Sequence, residues 1–195
     1  MNLPNKISLV RIFMIPFMIF FYLASFIPNG WGKVVALFIL IVASLTDMLD
    51  GYLARKNNQI TNMGKFLDPI ADKLLTTSAL LLVLCDGTVP APYGVIAGII
   101  ILGRELMVSA FRQVAATKNV VMAADWYGKV KTFVQDVSLP GLFILSYFYT
   151  SGVVTGTWLF AFEILNWVLL GAAVLLTIIS GVNYLVKNWK NVVKD

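Results

Sequence analysis

Apolar positions in this chain neither alternate nor form narrow helical stripes; they run in long blocks. Six blocks stand out, at about Ile7–Phe26, Lys33–Asp50, Pro69–Cys85, Tyr93–Phe111, Val130–Tyr149 and Phe160–Leu185. A bilayer-crossing helix needs roughly 20 mostly apolar residues, so each block reads as one crossing. Helix breakers fall between them, at Pro28-Asn29-Gly30, Asp86-Gly87-Thr88, Pro90-Ala91-Pro92 and Ser151-Gly152. No internal repeat or low-complexity tract interrupts the series. The pattern predicts an all-α integral membrane protein, a bundle of six transmembrane helices forming one domain over residues 1–195.

Composition agrees. Of 195 residues, 59% are hydrophobic and only 13% charged, about half the charged share of a soluble domain. Histidine is absent and Cys85 is the sole cysteine. Zinc-finger, iron–sulfur and haem–histidine chemistry are thereby excluded, as is an internal disulfide. Any metal must be held by oxygen, which points to magnesium, manganese or calcium. The net charge of +5 is largely topological and calls for no nucleic-acid partner. Lys6 and Arg11 lie at the first helix. Arg55, Lys56, Lys65 and Lys73 surround the second connection, and Arg112, Lys118, Lys129 and Lys131 the fourth. Lys187, Lys190 and Lys194 close the chain, whereas the opposite side holds only Lys33. The positive-inside rule then predicts cytoplasmic termini, which six spans satisfy. The first helix, with Arg11 and Pro16 and no small-residue cleavage site, reads as retained rather than as a cleaved leader.

Four carboxylates break the apolar pattern: Asp47, Asp50, Asp68 and Asp72. A carboxylate at the centre of a membrane helix costs about 2.5–3.5 kcal/mol, so four together need a compensating partner. At 100° per residue, Asp47, Asp50, Gly51 and Ala54 share one stripe, while Asp68 and Asp72 share a face of the next helix. Pro69 predicts that this helix starts near Asp68, because proline suits a first turn. Helices joined by a short loop are neighbours, so the two pairs can form one oxygen cage for a divalent cation. Gly51 and Ala54 leave a slot beside it, and Arg55 offers a fork for phosphate oxygens. Metal, arginine and slot together suggest a nucleotide diphosphate. Taken singly, a small residue in such a helix is ordinarily for packing, and Asp68 reads as a cap. An EF-hand does not fit.

The run Asp47-Met-Leu-Asp50-Gly51-Tyr-Leu-Ala54-Arg55, eight residues, then Gly64-Lys-Phe-Leu-Asp68-Pro-Ile-Ala-Asp72 resembles the signature of the CDP-alcohol phosphotransferase family at every fixed position. The resemblance implies a metal site, Mg2+ or Mn2+, on Asp47, Asp50, Asp68 and Asp72, with Asp72 as general base. It implies a cytidine diphosphate pocket at Gly51, Ala54, Arg55 and Gly64. Weaker stretches, Asn2-Leu-Pro-Asn5 with Ser8 and Arg11, Gly103-Arg104-Glu105, and Gly128-Lys129-Val-Lys131-Thr132, are similar to members that transfer a phosphatidyl group from CDP-diacylglycerol to glycerol-3-phosphate. Ser8 stands where threonine is more usual in such members. A bacterial inner membrane, an active site facing the cytoplasm and a homodimer follow from the same resemblance.

A dianionic acceptor needs cations of its own. Arg104, Arg112, Lys129 and Lys131 are the candidates for its phosphate, although the positive-inside pattern also places basic residues there. Asp136 is a partner for one of them without an assigned role, and the tryptophans read as interface anchors. Other acceptors within the family (inositol phosphate, serine, phosphatidylglycerol) remain open. From another class, a prenyltransferase expects two separated acidic motifs. A divalent-cation transporter expects carboxylates near the membrane midplane and leaves Arg55 and the small-residue slot unexplained.

Overall fold

The computed structural model describes the backbone of residues 3–56, 62–117 and 126–193; within these, the side chains of 3–5, 47–56, 62–63, 65–66, 116–117 and 190–193 lie outside the described set. Six long helices follow one another: α1 Leu3–Leu23, α2 Trp31–Lys56, α3 Asn62–Cys85, α4 Ala91–Thr117, α5 Trp126–Ser151 and α6 Thr157–Val193. A short 3-10 turn at Pro28–Gly30 leads into α2, with Asn29 at φ 55° and Gly30 at φ 71°. Five of the six apolar blocks lie within one helix each, and the first, Ile7–Phe26, runs three residues past the end of α1.

The core is apolar with buried polar residues set into it, and the outside is greasy. Arg11, Lys131, Ser8, Ser138, Asn166 and Thr177 are buried, whereas Phe13, Phe17, Phe38, Ile99 and Val168 are well exposed. An outward surface of this kind is what a lipid environment demands. Exposed Trp31 and Trp158 open α2 and α6, while Trp126 and Trp189 mark the start of α5 and the end of α6. They therefore form two belts, one at each end of the bundle.

Among the described residues four helices, α1, α2, α4 and α6, are long and apolar enough to cross a membrane by length and composition. The expectation of six is met only to that extent. α3 and α5 have the length, 24 and 26 residues, but carry charges: Asp68, Asp72 and Lys73 on α3, and Lys129, Lys131 and Asp136 on α5. The structure aims these at the bundle interior and its cavities, where membrane helices ordinarily keep their ionisable groups. The chain is a multi-pass membrane protein.

Two further expectations change. α3 starts at Asn62, not near Asp68, so Pro69 lies inside the helix. Membrane helices tolerate such a proline where neighbouring groups satisfy the freed carbonyl. Asp68 is consequently no cap. Consecutive helices α2 and α3 also touch each other far less than each touches α1. Small residues explain the close α1–α2 seam: Ala36 and Ala43 are fully buried, and a Cβ on Gly32 would run into the Phe21 carbonyl oxygen. α6 packs on α5 and α4, and α2 also meets α5.

At one end of the bundle a polar clamp ties four helix ends together. The Tyr22 hydroxyl donates to Asp86 Oδ2 at 2.6 Å, Lys33 Nζ to the same oxygen at 3.0 Å, and the Ser146 hydroxyl also donates to it. The Thr88 N–H donates to Asp86 Oδ1 at 2.9 Å. Burial alone would raise the Asp86 carboxyl; the hydrogen bonds from Ser146, Thr88 and Tyr22 outweigh it and hold the group below its ordinary value. Among the described residues Lys33 is the one cation near this end. The remainder cluster toward the other, where α1, α3 and α5 begin and α2, α4 and α6 finish.

Candidate active site

That second end carries the motif. Asp47, Asp50, Gly51, Ala54 and Arg55 belong to the last turns of α2, and their side chains lie outside the described residues. The first turns of α3 hold Gly64, which is buried, and then Asp68 and Asp72. Ser8 of α1, fully buried, donates its hydroxyl to Asp68 Oδ1 at 2.5 Å. One turn further along α1, fully buried Arg11 donates Nε–H to the Ala43 carbonyl of α2 at 3.2 Å. α1 thus joins the two halves of the motif: its first turns reach a carboxylate on α3 and the backbone of α2 just before Asp47.

Asp72, one turn beyond Asp68, is exposed, and it faces two cavities. The first, about 580 Å³, is polar and lies among α3, α4, α5 and α6. Its wall includes Lys73, Arg104, Arg112 and Lys129, together with Glu105 and Tyr184. The second, about 310 Å³, is mostly apolar and lies among α1, α2, α3 and α5; Arg11, Leu40, Leu45, Leu75 and Leu139 line it. Two residues belong to both walls: Asp72 and Asp136. A third cavity, about 620 Å³, is an apolar groove between α4 and α6 near the clamp end and contains none of this chemistry.

Three of the four cations proposed for an acceptor line the polar cavity. Arg104 is held between two glycines: a Cβ on Gly128 would sit 3.2 Å from its Nη2, and one on Gly181 would sit 3.1 Å from its Cγ. Residues without side chains let α5 and α6 close on it without displacing the arginine. Arg112 donates Nε–H to the Tyr184 hydroxyl at 3.4 Å and lies over the Tyr184 ring, 5.6 Å from its centroid. Lys129, in the first turn of α5, is exposed.

Lys131 departs from the group. It is fully buried, does not line the cavity, and forms an ion pair with Glu105 of α4, which does. Helical geometry supplies the reason: residues two apart differ by about 200°, so Lys129 and Lys131 cannot face the same space. Arg104 and Arg112, eight apart, differ by about 80° and can. The sequence held this signal, and the grouping of both lysines overlooked it. Lys73, read only as an orientation charge, proves to be a wall residue; its ammonium donates to the Ser109 hydroxyl. Tyr184 carried no sequence signal.

Among the described residues no three carboxylates, histidines or cysteines gather into a metal cluster. Asp68 and Asp72 nevertheless offer what a hard divalent cation requires. Both supply oxygen only, one steadied by a buried hydroxyl and the other open to the cavities. Basic residues on one side, an apolar chamber on the other and carboxylates between them suit a reaction joining a charged substrate to a lipid one.

Comparison with known proteins agrees. Residues 1–179 match the CDP-alcohol phosphatidyltransferase family. A CDP-diacylglycerol–glycerol-3-phosphate 3-phosphatidyltransferase of Bacillus subtilis is 36% identical, over 97% of this chain and 96% of its own length. A protein of the same name from Rickettsia felis is 36% identical over 94% and 93% of the two chains. One from Salmonella typhimurium is 38% identical over 72% and 76%. With a match that spans the aspartates, Arg104, Arg112 and Lys129, the chain belongs to the CDP-alcohol phosphatidyltransferase family and is a transferase of that type.

Proposed function

We propose that this protein transfers the phosphatidyl group of CDP-diacylglycerol to the sn-1 hydroxyl of glycerol-3-phosphate, giving phosphatidylglycerophosphate and CMP. The observation that carries the reading is the position of Asp72, in the shared wall of a cation-lined cavity and an apolar one. Relatives along nearly the whole chain bear the name of that activity. All six helices span the bacterial inner membrane in this reading, with α3 and α5 directing their charges inward. Both termini and the site lie on the cytoplasmic side, a placement supported by the gathering of described cations at that end. A homodimer belongs to the same reading, and cross-linking in membranes would register it as a doubled mass.

The acceptor phosphate binds Arg104, Arg112 and Lys129, and Lys131 acts through Glu105 by fixing one wall of the cavity. The cytidine diphosphate lies along Gly51, Ala54, Arg55 and Gly64. Asp47, Asp50, Asp68 and Asp72 hold Mg2+ or Mn2+, which when bound neutralises pyrophosphate charge and stabilises the departing CMP. Asp72 accepts the proton of the sn-1 hydroxyl at a carboxylate oxygen. The acceptor oxygen forms a bond to the phosphorus bearing diacylglycerol, and the bond from that phosphorus to CMP breaks with its electron pair leaving on CMP. Alignment of a water-borne acceptor with a membrane-borne donor supplies much of the acceleration.

The test is an acceptor panel. Purified protein receives CDP-diacylglycerol with glycerol-3-phosphate, inositol phosphate, serine or phosphatidylglycerol, and CMP release is measured with Asp72→Asn as control. Rapid CMP release with glycerol-3-phosphate alone is expected, falling 10²-fold or more in the variant, on the order of general-base contributions. Preference for another alcohol would overturn the acceptor, and metal-independent release would overturn the mechanism. Inversion at phosphorus is expected for one direct displacement; retention would show a covalent intermediate.

A further inference from the structure

We infer that Asp136 recognises the secondary hydroxyl of the acceptor and sets the direction in which the acceptor enters; this rests on the acceptor reading above. Four observations lead there. Asp136 and Asp72 are the two residues common to both cavity walls, so Asp136 stands at the junction where the attacking hydroxyl must be. It is exposed to that space rather than packed away. Lys129, in the first turn of the same helix, lies about 10 Å nearer the bundle end. Arg112 and Tyr184, near the ends of α4 and α6, line the cavity toward that same end.

The polar cavity is therefore charge-graded: Arg112 and Lys129 lie toward the bundle end, while Asp72, Asp136 and Glu105, the last paired with Lys131, lie deeper. A dianionic phosphate is drawn to the former. A polyol phosphate consequently enters hydroxyl end first. Between its phosphate and the hydroxyl presented to Asp72, glycerol-3-phosphate carries one more hydroxyl, which passes the neighbouring carboxylate. An ionised carboxylate only accepts hydrogen bonds and has room for about four. Asp136 can thus retain its protein contacts and still receive the secondary hydroxyl.

The experiment compares glycerol-3-phosphate with 3-hydroxypropyl phosphate, which keeps the phosphate and the attacking hydroxyl but lacks the secondary one. The wild-type protein should favour glycerol-3-phosphate in kcat/KM by tenfold or more, on the order expected for a charged hydrogen bond to substrate. Asp136→Ala should bring the ratio of the two acceptors close to one, with most of the change in KM, and Asp136→Asn, whose amide oxygen still accepts, should lower it part of the way. Equal use of both acceptors by the wild type would overturn the inference without any variant. So would an unchanged ratio in Asp136→Ala. Failure of the wild type to use glycerol-3-phosphate at all would instead sink the acceptor reading on which the inference stands.

Discussion

Replacing Lys131 by methionine separates a wall-building lysine from a phosphate-binding one. The side chain is 1% exposed, and its ammonium pairs with Glu105, which is 28% exposed. Methionine fills nearly the same volume, so the change removes the paired ammonium and leaves the mostly buried Glu105 carboxylate to the charges of Arg104 and Lys73. Breaking a fully buried pair costs about 3–5 kcal/mol; with Glu105 partly solvated, about 2–3 kcal/mol is expected. For a chain of this length that lowers the melting temperature by roughly 5–10 °C, readable by tryptophan fluorescence in dodecyl maltoside. Adding Glu105→Gln should return at least about 1 kcal/mol relative to the sum of the single changes, because the second substitution removes the stranded charge. Arg112→Ala, in contrast, should raise KM for glycerol-3-phosphate severalfold with little change in melting. If Lys131→Met left stability intact and raised that KM as Arg112→Ala does, the ammonium would be touching the acceptor and the placement behind Glu105 would fail.

Gly32→Ala should cost about 1–3 kcal/mol, because its Cβ meets the Phe21 carbonyl oxygen and α1 must move away from α2; a lowered melting temperature would report it. Asp86→Asn tests the clamp. The folded-state carboxyl is depressed, so its contribution is complete above the ordinary aspartate value, about 3.9, and disappears as pH falls through the depressed one. Melting temperature measured against pH should show this acid-side decline in the wild type and lose it in the variant, which should also melt lower at neutral pH. Ser8→Ala removes the hydroxyl that steadies Asp68 and should raise the metal concentration needed for half-maximal CMP release severalfold, on the order of one charged hydrogen bond. Ser8→Thr should preserve the requirement; equal behaviour of both variants would refute the role.

Long-range order in the apolar pattern made the helices legible, since block length is read directly against bilayer thickness. The start of α3 was less so, because Pro69 has two meanings: a first-turn residue in water, or an interior residue where membrane neighbours compensate it. Charges on α3 and α5 blurred their reading as spans for a similar reason, because hydropathy sums residues without knowing which way they face. The aspartate spacing pointed to one end of the bundle as the candidate site, but the wedge formed by α1 was hidden. That wedge depends on small surfaces such as Gly32, Ala36 and Ala43 matching across helices, and no single segment displays the match. Lys131 was separable from Lys129 by helical angle alone. Tyr184 was not separable from its apolar surroundings by any local pattern.

One wall of the polar cavity has an unusual address. The family match covers residues 1–179, yet Tyr184, with Arg112 beneath it, closes the cavity from beyond that limit. A chain shortened to residue 183 would keep every motif aspartate and the glycine seat of Arg104, and yet lose a side of the chamber where the phosphate is to be held. Most of the enclosure, Lys73, Arg104 and Asp136 among it, thus shares its stretches with the chemistry, and Tyr184 is the part of the wall added from beyond them.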